Sequence, residues 1–201
     1  MIAIIDYGVG NLKSVYKALN SLGFHTIIAK KNEEILNSNA LILPGVGAFR
    51  DAMSQLSSSG LKEGLLKSVE VGKPVLGICL GMQLLFDKSF EDGEFDGLGL
   101  MEGEIHRFDK GLKVPHMGWN HLKKHIDDPI GKELKDNEYV YFVHSYYLKT
   151  KEHQNVIYWC NYGMEFPALI RKNNIIGMQF HPEKSGKTGI QLLKNFGELV
   201  G

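Results

Sequence analysis

The sequence predicts an α/β fold with a mostly parallel central sheet, helices on both of its faces and an antiparallel strand extension. Three observations lead there. Up to residue 86, short apolar runs alternate with stretches in which apolar residues recur every three or four positions, the signature of strands joined by crossover helices. Beyond residue 104 the chain turns strand-rich, and several connections are too short to hold a crossover helix, so those strands run antiparallel. No repeat, low-complexity tract or linker interrupts the 201 residues, a length that one core can serve, so residues 1–201 read as a single domain.

Taken in order, residues 2–6 read as a buried strand and Tyr7-Gly8-Val9-Gly10-Asn11 as the turn that ends it. Leu12, Val15, Tyr16, Leu19 and Leu22 then recur at helical spacing up to a stop at Gly23. Gly8 and Gly10 fall short of a dinucleotide-binding fingerprint, because Lys13 stands where the third glycine belongs, and a tight turn is the better reading. Residues 25–29 and 40–43 give the next strands, with a short helix over 33–37 between them, and Pro44-Gly45-Val46-Gly47 closes the third strand. Helical patches over 52–56 and 61–71 lead to the apolar run from Pro74 into Cys79. Residues 91–104, rich in glycine and acids, read as a long surface loop. Strands follow over 104–108, 139–143, 156–160, 168–172 and 175–180, with Asn173-Asn174 as the hairpin turn of the last pair. Residues 123–138 are polar and read as loop or weak helix, and a closing helix over 188–200 gathers Ile190, Leu193, Phe196, Gly197 and Val200 on one face.

Composition removes several function classes. Lys and Arg number 23, as do Asp and Glu, so the net charge is zero and neither nucleic acid nor an anionic membrane meets an electrostatic footprint. No apolar run is long enough to span a bilayer, and Asp6 ends the opening run before a signal-peptide core forms, which points to a cytoplasmic location. Cys79 and Cys160 are too few and too far apart for a disulfide framework. His116, His121, His125 and His144 have no zinc-ligand spacing and read as structural or surface residues, so no metal is expected.

Two motifs carry chemistry. Gly77-Ile78-Cys79-Leu80-Gly81 places a cysteine where hydrolases with a strand-to-helix elbow hold their nucleophile. Neighbours without side chains let the backbone pack closely while the thiol points out, and the amides that open the next helix favour a thiolate. An inert buried cysteine would share those glycines, so the second motif matters. His181-Pro182-Glu183 follows the strand over 175–180, which brings an imidazole and a carboxylate to the sheet edge that Cys79 occupies. Histidine can take the thiol proton and later hand it to a leaving amine, while the carboxylate sets its tautomer.

With those residues in view, Gly77-Ile78-Cys79-Leu80-Gly81-Met82-Gln83 and His181-Pro182-Glu183 resemble the nucleophile elbow and the His/Glu pair of the class I (triad) glutamine amidotransferases. Five more stretches are similar to one branch of that family, the glutaminases that serve a separate synthase: Asp6-Tyr7-Gly8-Val9-Gly10-Asn11, Pro44-Gly45-Val46-Gly47, Pro115-His116-Met117-Gly118-Trp119-Asn120, His144-Ser145-Tyr146 and Lys184-Ser185 after the His/Glu pair. The resemblance runs from residue 1 to the last helix and implies a three-layer fold. It implies a Cys79, His181 and Glu183 triad acting on L-glutamine through a glutamyl thioester. It assigns the oxyanion donors to Leu80 and the Val46 loop, and glutamine's own ammonium and carboxylate to Gly47, Gln83, Glu91, Ser145 and Tyr146. It further implies that ammonia passes to a (β/α)8-barrel synthase of the cyclase type in a heterodimer, with Pro115, Trp119, Asn120, Tyr141 and Lys184 facing that partner. No cofactor is implied.

Overall fold

The computed structural model describes residues 1–109 and 111–200. In chain order the elements are β1 (Ile2–Ile5), α1 (Leu12–Ser21), β2 (Thr26–Ala29), α2 (Asn32–Leu36), β3 (Ala40–Leu43), α3 (Phe49–Ser58), α4 (Leu61–Glu70), β4 (Val75–Ile78) and α5 (Leu80–Gln83). Then come β5 (Lys88–Ser89), β6 (Phe95–Asp96), β7 (Glu104–Arg107), β8 (His116–His121), β9 (Lys123–Lys124), β10 (Tyr139–His144), β11 (Tyr146–Lys149), β12 (Val156–Asn161), β13 (Glu165–Lys172), β14 (Ile175–Met178) and α6 (Gly186–Glu198). The main sheet has the order β2-β1-β3-β4-β14-β13-β12-β9. Its first five strands run parallel and its last three are added antiparallel, as the expected fold class requires.

The parallel strands are buried on both faces, so alternate residues feed two separate cores. Ile2, Ile4, Ala40, Ile42, Leu76 and Ile78 pack on one side against Val15 and Leu19 of α1 and Leu192, Leu193 and Phe196 of α6. Ala3, Ile5, Leu41, Leu43 and Val75 pack on the other against Ile35 of α2, Phe49 and Leu56 of α3, and Leu61 and Leu65 of α4. Three layers result. Each fully buried leucine or isoleucine contributes about 2 kcal/mol of transfer free energy, which is why these four-residue strands hold without longer ladders.

The second half departs from expectation in detail. β8 and β11 were not foreseen, and they build two small sheets, β10-β8 and β11-β7-β5-β6. Residues 91–104 are less loop-like than their glycines suggested, because Phe95–Asp96 pairs with Lys88–Ser89. Within 123–138 the chain holds the two-residue strand β9 and a single 3-10 turn, Pro129–Gly131, whose first amide is met by the Asp128 side chain. The Asn173-Asn174 hairpin forms as expected, with Lys172 opposite Ile175 and Asn173 at φ 56°. No helix among the described residues is long and apolar enough to cross a membrane.

Candidate active site

Two adjacent strand ends build the site. β4 and β14 are parallel neighbours with Ile78 opposite Met178, so the chain leaving each crosses the same edge of the sheet. Immediately after Ile78, Cys79 adopts φ 54° and ψ −112°, a conformation that residues with a Cβ rarely hold. Its flanking glycines make the turn possible. A Cβ at Gly81 would lie 1.9 Å from the Leu43 carbonyl oxygen, and one at Gly77 would lie 2.6 Å from Met82 Cα. Gly81→Ala is therefore expected to lower the unfolding free energy by about 3 kcal/mol, the upper range for atoms forced into a packed interior. Urea unfolding measures this, and an unchanged midpoint would show that the elbow has room to shift. α5 is a single turn, shorter than the apolar run to Phe86 suggested, so it offers the free amides of one turn rather than the dipole of a long helix.

His181 lies three residues past β14 and is buried, with Nδ1 2.9 Å from Glu183 Oε1. The Glu183 side chain is only 1% exposed, and Asn11 Nδ2 donates to the same oxygen at 3.4 Å. An ionised carboxylate only accepts, so it places a proton on Nδ1 and turns Nε2 toward the thiol. Burial acts to lower the His181 pKa, but its hydrogen bonds to Cys79 and Glu183, and their charges, outweigh burial and raise it to about 9. The backbone here is stitched to β10. The His181 amide donates to the Tyr141 carbonyl at 3.0 Å, and the Tyr141 amide donates to Ser185 Oγ at 2.9 Å.

The loop after β3 forms the opposite wall. The Tyr7 hydroxyl donates to the Pro44 carbonyl at 2.7 Å and anchors the base of the loop, and burial raises the Tyr7 pKa. Beyond that anchor Val46 is 43% exposed and Gly47 sits at φ 94°, a region open to glycine.

A cavity of about 410 Å³ joins these parts. Cys79, His181, Val46, Leu80, Gly47, Gln83, Glu91, Ser145 and Tyr146 all line it, so every expected triad, oxyanion and substrate residue except Glu183 borders one space. Glu183 stands behind His181. Two of the substrate residues are also tied into the fold, which sequence reading missed. Gln83 Nε2 donates to the Tyr146 carbonyl at 3.1 Å and to Gln179 Oε1 at 2.9 Å, so its amide protons are occupied. Glu91 Oε2 accepts from the Phe49 amide at 2.7 Å and so caps α3; burial raises its pKa, against the pull of that amide.

Three of the expected partner-facing residues, Trp119, Asn120 and Tyr141, lie on the β10-β8 sheet. Trp119 is 55% exposed and meets Tyr141 edge to face at 6.1 Å, while the Asn120 side chain donates to the Asn161 carbonyl at 2.8 Å. Lys184 is exposed beside them, and Pro115 borders the cavity itself. Three residues to which sequence reading gave no role in the site also belong here. Gln179 is fully buried between Gln83 and Cys79, with Nε2 4.0 Å from the sulfur; a glutamine inside the run Ile175-Ile176-Gly177-Met178-Gln179-Phe180 was the available signal. His116 and His144 form a buried hydrogen-bonded pair at 3.0 Å, and His144 lines the cavity. Among the described residues no group of three or more His, Cys, Asp or Glu side chains could hold a metal ion.

Comparison with known proteins defines the family. The glutamine amidotransferase class-I family model matches residues 3–199, and the fold resembles a crystal structure described as a glutamine amidotransferase, with a TM-score of 0.77 at 22% identity over 100% of this chain and 98% of that one. Relatives named imidazole glycerol phosphate synthase subunit HisH are closer in sequence. The one from Caldanaerobacter subterraneus subsp. tengcongensis is 52% identical over 200 residues, covering 100% of this chain and 98% of the relative. The one from Carboxydothermus hydrogenoformans is 50% identical over 202 residues and covers 100% of both. The chain belongs to the class I glutamine amidotransferases and, within them, to the family of imidazole glycerol phosphate synthase subunit HisH.

Proposed function

We propose that this chain is one glutaminase domain that hydrolyses L-glutamine at Cys79 and passes the ammonia to a barrel-type cyclase subunit in histidine biosynthesis, in the cytoplasm. The observation that carries the chemistry is the shared edge of β4 and β14, where Cys79 opens into the same cavity as a histidine backed by a buried carboxylate. Cys79 attacks the side-chain amide carbon of glutamine, and the oxyanion takes hydrogen bonds from the Leu80 amide and from the Val46 loop. His181 protonates the departing ammonia. It then draws a proton from the water that hydrolyses the thioester, while Glu183 holds the imidazole.

Glu91 supplies the charge for glutamine's ammonium group, at the cost of sharing its carboxylate with the Phe49 amide. Ser145, Tyr146 and Gly47 supply polar groups for the rest of the amino acid, and Gln83 acts by fixing the wall rather than through free amide protons.

The acceptor chemistry is assigned to a partner, because the amidotransferase family model takes up residues 3–199 and the relatives this chain matches are named as one subunit of a synthase. Membership of the HisH family supports a synthase subunit that turns a phosphoribosylated aminoimidazole carboxamide nucleotide into imidazole glycerol phosphate and aminoimidazole carboxamide ribotide. The exposed Met117, Trp119 and Tyr139 on the β10-β8 sheet support docking there, beside Tyr141 and Lys184.

Ammonia release from glutamine tests the reading. The isolated chain is expected to turn over slowly, and the barrel subunit with its nucleotide ligand is expected to raise the rate by orders of magnitude. Brisk turnover by the chain alone, indifferent to the barrel subunit, would separate the triad chemistry from the proposed acceptor.

A further inference from the structure

We propose that His116 is a positioning residue of the glutamine pocket, acting through His144 to hold the Ser145–Tyr146 wall in place. This inference rests on the glutaminase reading above and adds a residue that the triad does not use. The hydrogen bonds that join these residues have a direction. His144 Nδ1 lies 2.8 Å from the Tyr146 carbonyl, which can only accept, so Nδ1 carries a proton. Burial drives the His144 pKa down to about 3, which keeps the ring neutral and makes Nε2 an acceptor. His116 Nδ1, 3.0 Å away, must therefore be the donor to it. Its pKa is also lowered by burial, to about 4, so His116 Nε2 accepts in turn, and Asn120 Nδ2 stands 3.3 Å from it. The chain Asn120, His116, His144, Tyr146 thus has one consistent direction.

The far end of that chain is the pocket. The Tyr146 carbonyl that His144 holds is also the acceptor for Gln83 Nε2, and Gln83 sits on the one-turn helix after Cys79. Without the His116 proton, His144 Nε2 is a buried acceptor with nothing to accept. The other neutral tautomer then becomes competitive, and it puts a lone pair against the Tyr146 carbonyl. The wall that carries Ser145 and Tyr146 would shift, and glutamine would bind less well.

His116 has a second property that makes the test clean, since its ring stacks on Tyr162 at 4.1 Å and on Phe142 at 4.8 Å. His116→Phe keeps an aromatic ring and loses the donor, whereas His116→Asn loses the ring and keeps an N–H at the δ position. Steady-state glutaminase kinetics of each full-length variant in complex with the synthase subunit and its nucleotide ligand, beside the parent chain, separate the two roles. The phenylalanine variant is expected to raise KM for glutamine about tenfold with a smaller change in kcat, and the asparagine variant is expected to recover most of that loss. An unchanged KM in the phenylalanine variant, or an asparagine variant impaired as much or more, would overturn the proposal and leave His116 as packing. Absence of glutaminase activity in the parent complex would instead overturn the reading on which the proposal stands.

Discussion

Alanine at position 79 is expected to abolish ammonia release while leaving glutamine binding and the fold in place, with a loss in kcat on the order of 10⁵-fold or more. In the proposed mechanism the Cys79 sulfur is the atom that bonds to substrate, and no other cysteine can reach the cavity, since Cys160 is buried in β12 within the core. The measurement is glutamine turnover in the partner complex, with glutamine binding followed separately; residual activity within tenfold of the parent would remove Cys79 from the mechanism. Position 79 also stores strain. At φ 54° and ψ −112° alanine would remain strained, whereas glycine would not, so Cys79→Gly is expected to be equally inactive yet more stable in urea by about 1 kcal/mol. Activity and stability oppose each other at this residue.

Glu183→Gln is expected to lower kcat by about 10³-fold, with KM changed much less. The amide has nearly the shape of the carboxylate but no charge, and it can offer an N–H to His181 Nδ1 and so favour the wrong tautomer. The same substitution moves the pH profile. In the proposed mechanism His181 must be protonated to release ammonia, and in the parent its pKa is raised to about 9, partly by Glu183. Activity should thus fall as pH rises through about 9 in the parent and at a lower pH in the variant. Stability follows the same sign. The folded pKa exceeds the unfolded value of 6.5, so the His181 contribution is fully present below pH 6.5 and is lost as pH rises through about 9. A variant with the parent's alkaline limb would show that Glu183 does not set the charge on His181.

How much of this was legible in the sequence depended on where burial is two-sided. β1, β3 and β4 bury every residue, so they appear as unbroken apolar runs, and Ala40–Leu43 was located to the residue. β8 gave no such signal. Its sheet has two strands, Met117 and Trp119 face outward, and the one fully buried position holds His116, so polar and apolar residues fall in the reverse of the usual alternation. α3 was foreseen only over 52–56 because its first turn carries Arg50 and Asp51 in solvent, and its start is set by a carboxylate 42 residues away, Glu91. The candidate site residues stood out as motifs, since elbow glycines and a His/Glu pair leave a spacing. The ties of Gln83 to Tyr146 and of His116 to His144 left none, because a hydrogen bond between elements distant in sequence has no period.

The order of the central sheet has a consequence during synthesis. β14, made last among the strands, inserts between β4 and β13 rather than adding at an edge, and it brings His181 to a cysteine 102 positions earlier. Until it docks, a nascent chain carries the thiol without its base and lacks a strand from the middle of its sheet. Such long-range closure is slow compared with helix formation. In the proposed mechanism the step that completes the sheet also brings the nucleophile its base, so a chain that has not yet docked β14 is expected to leave glutamine untouched.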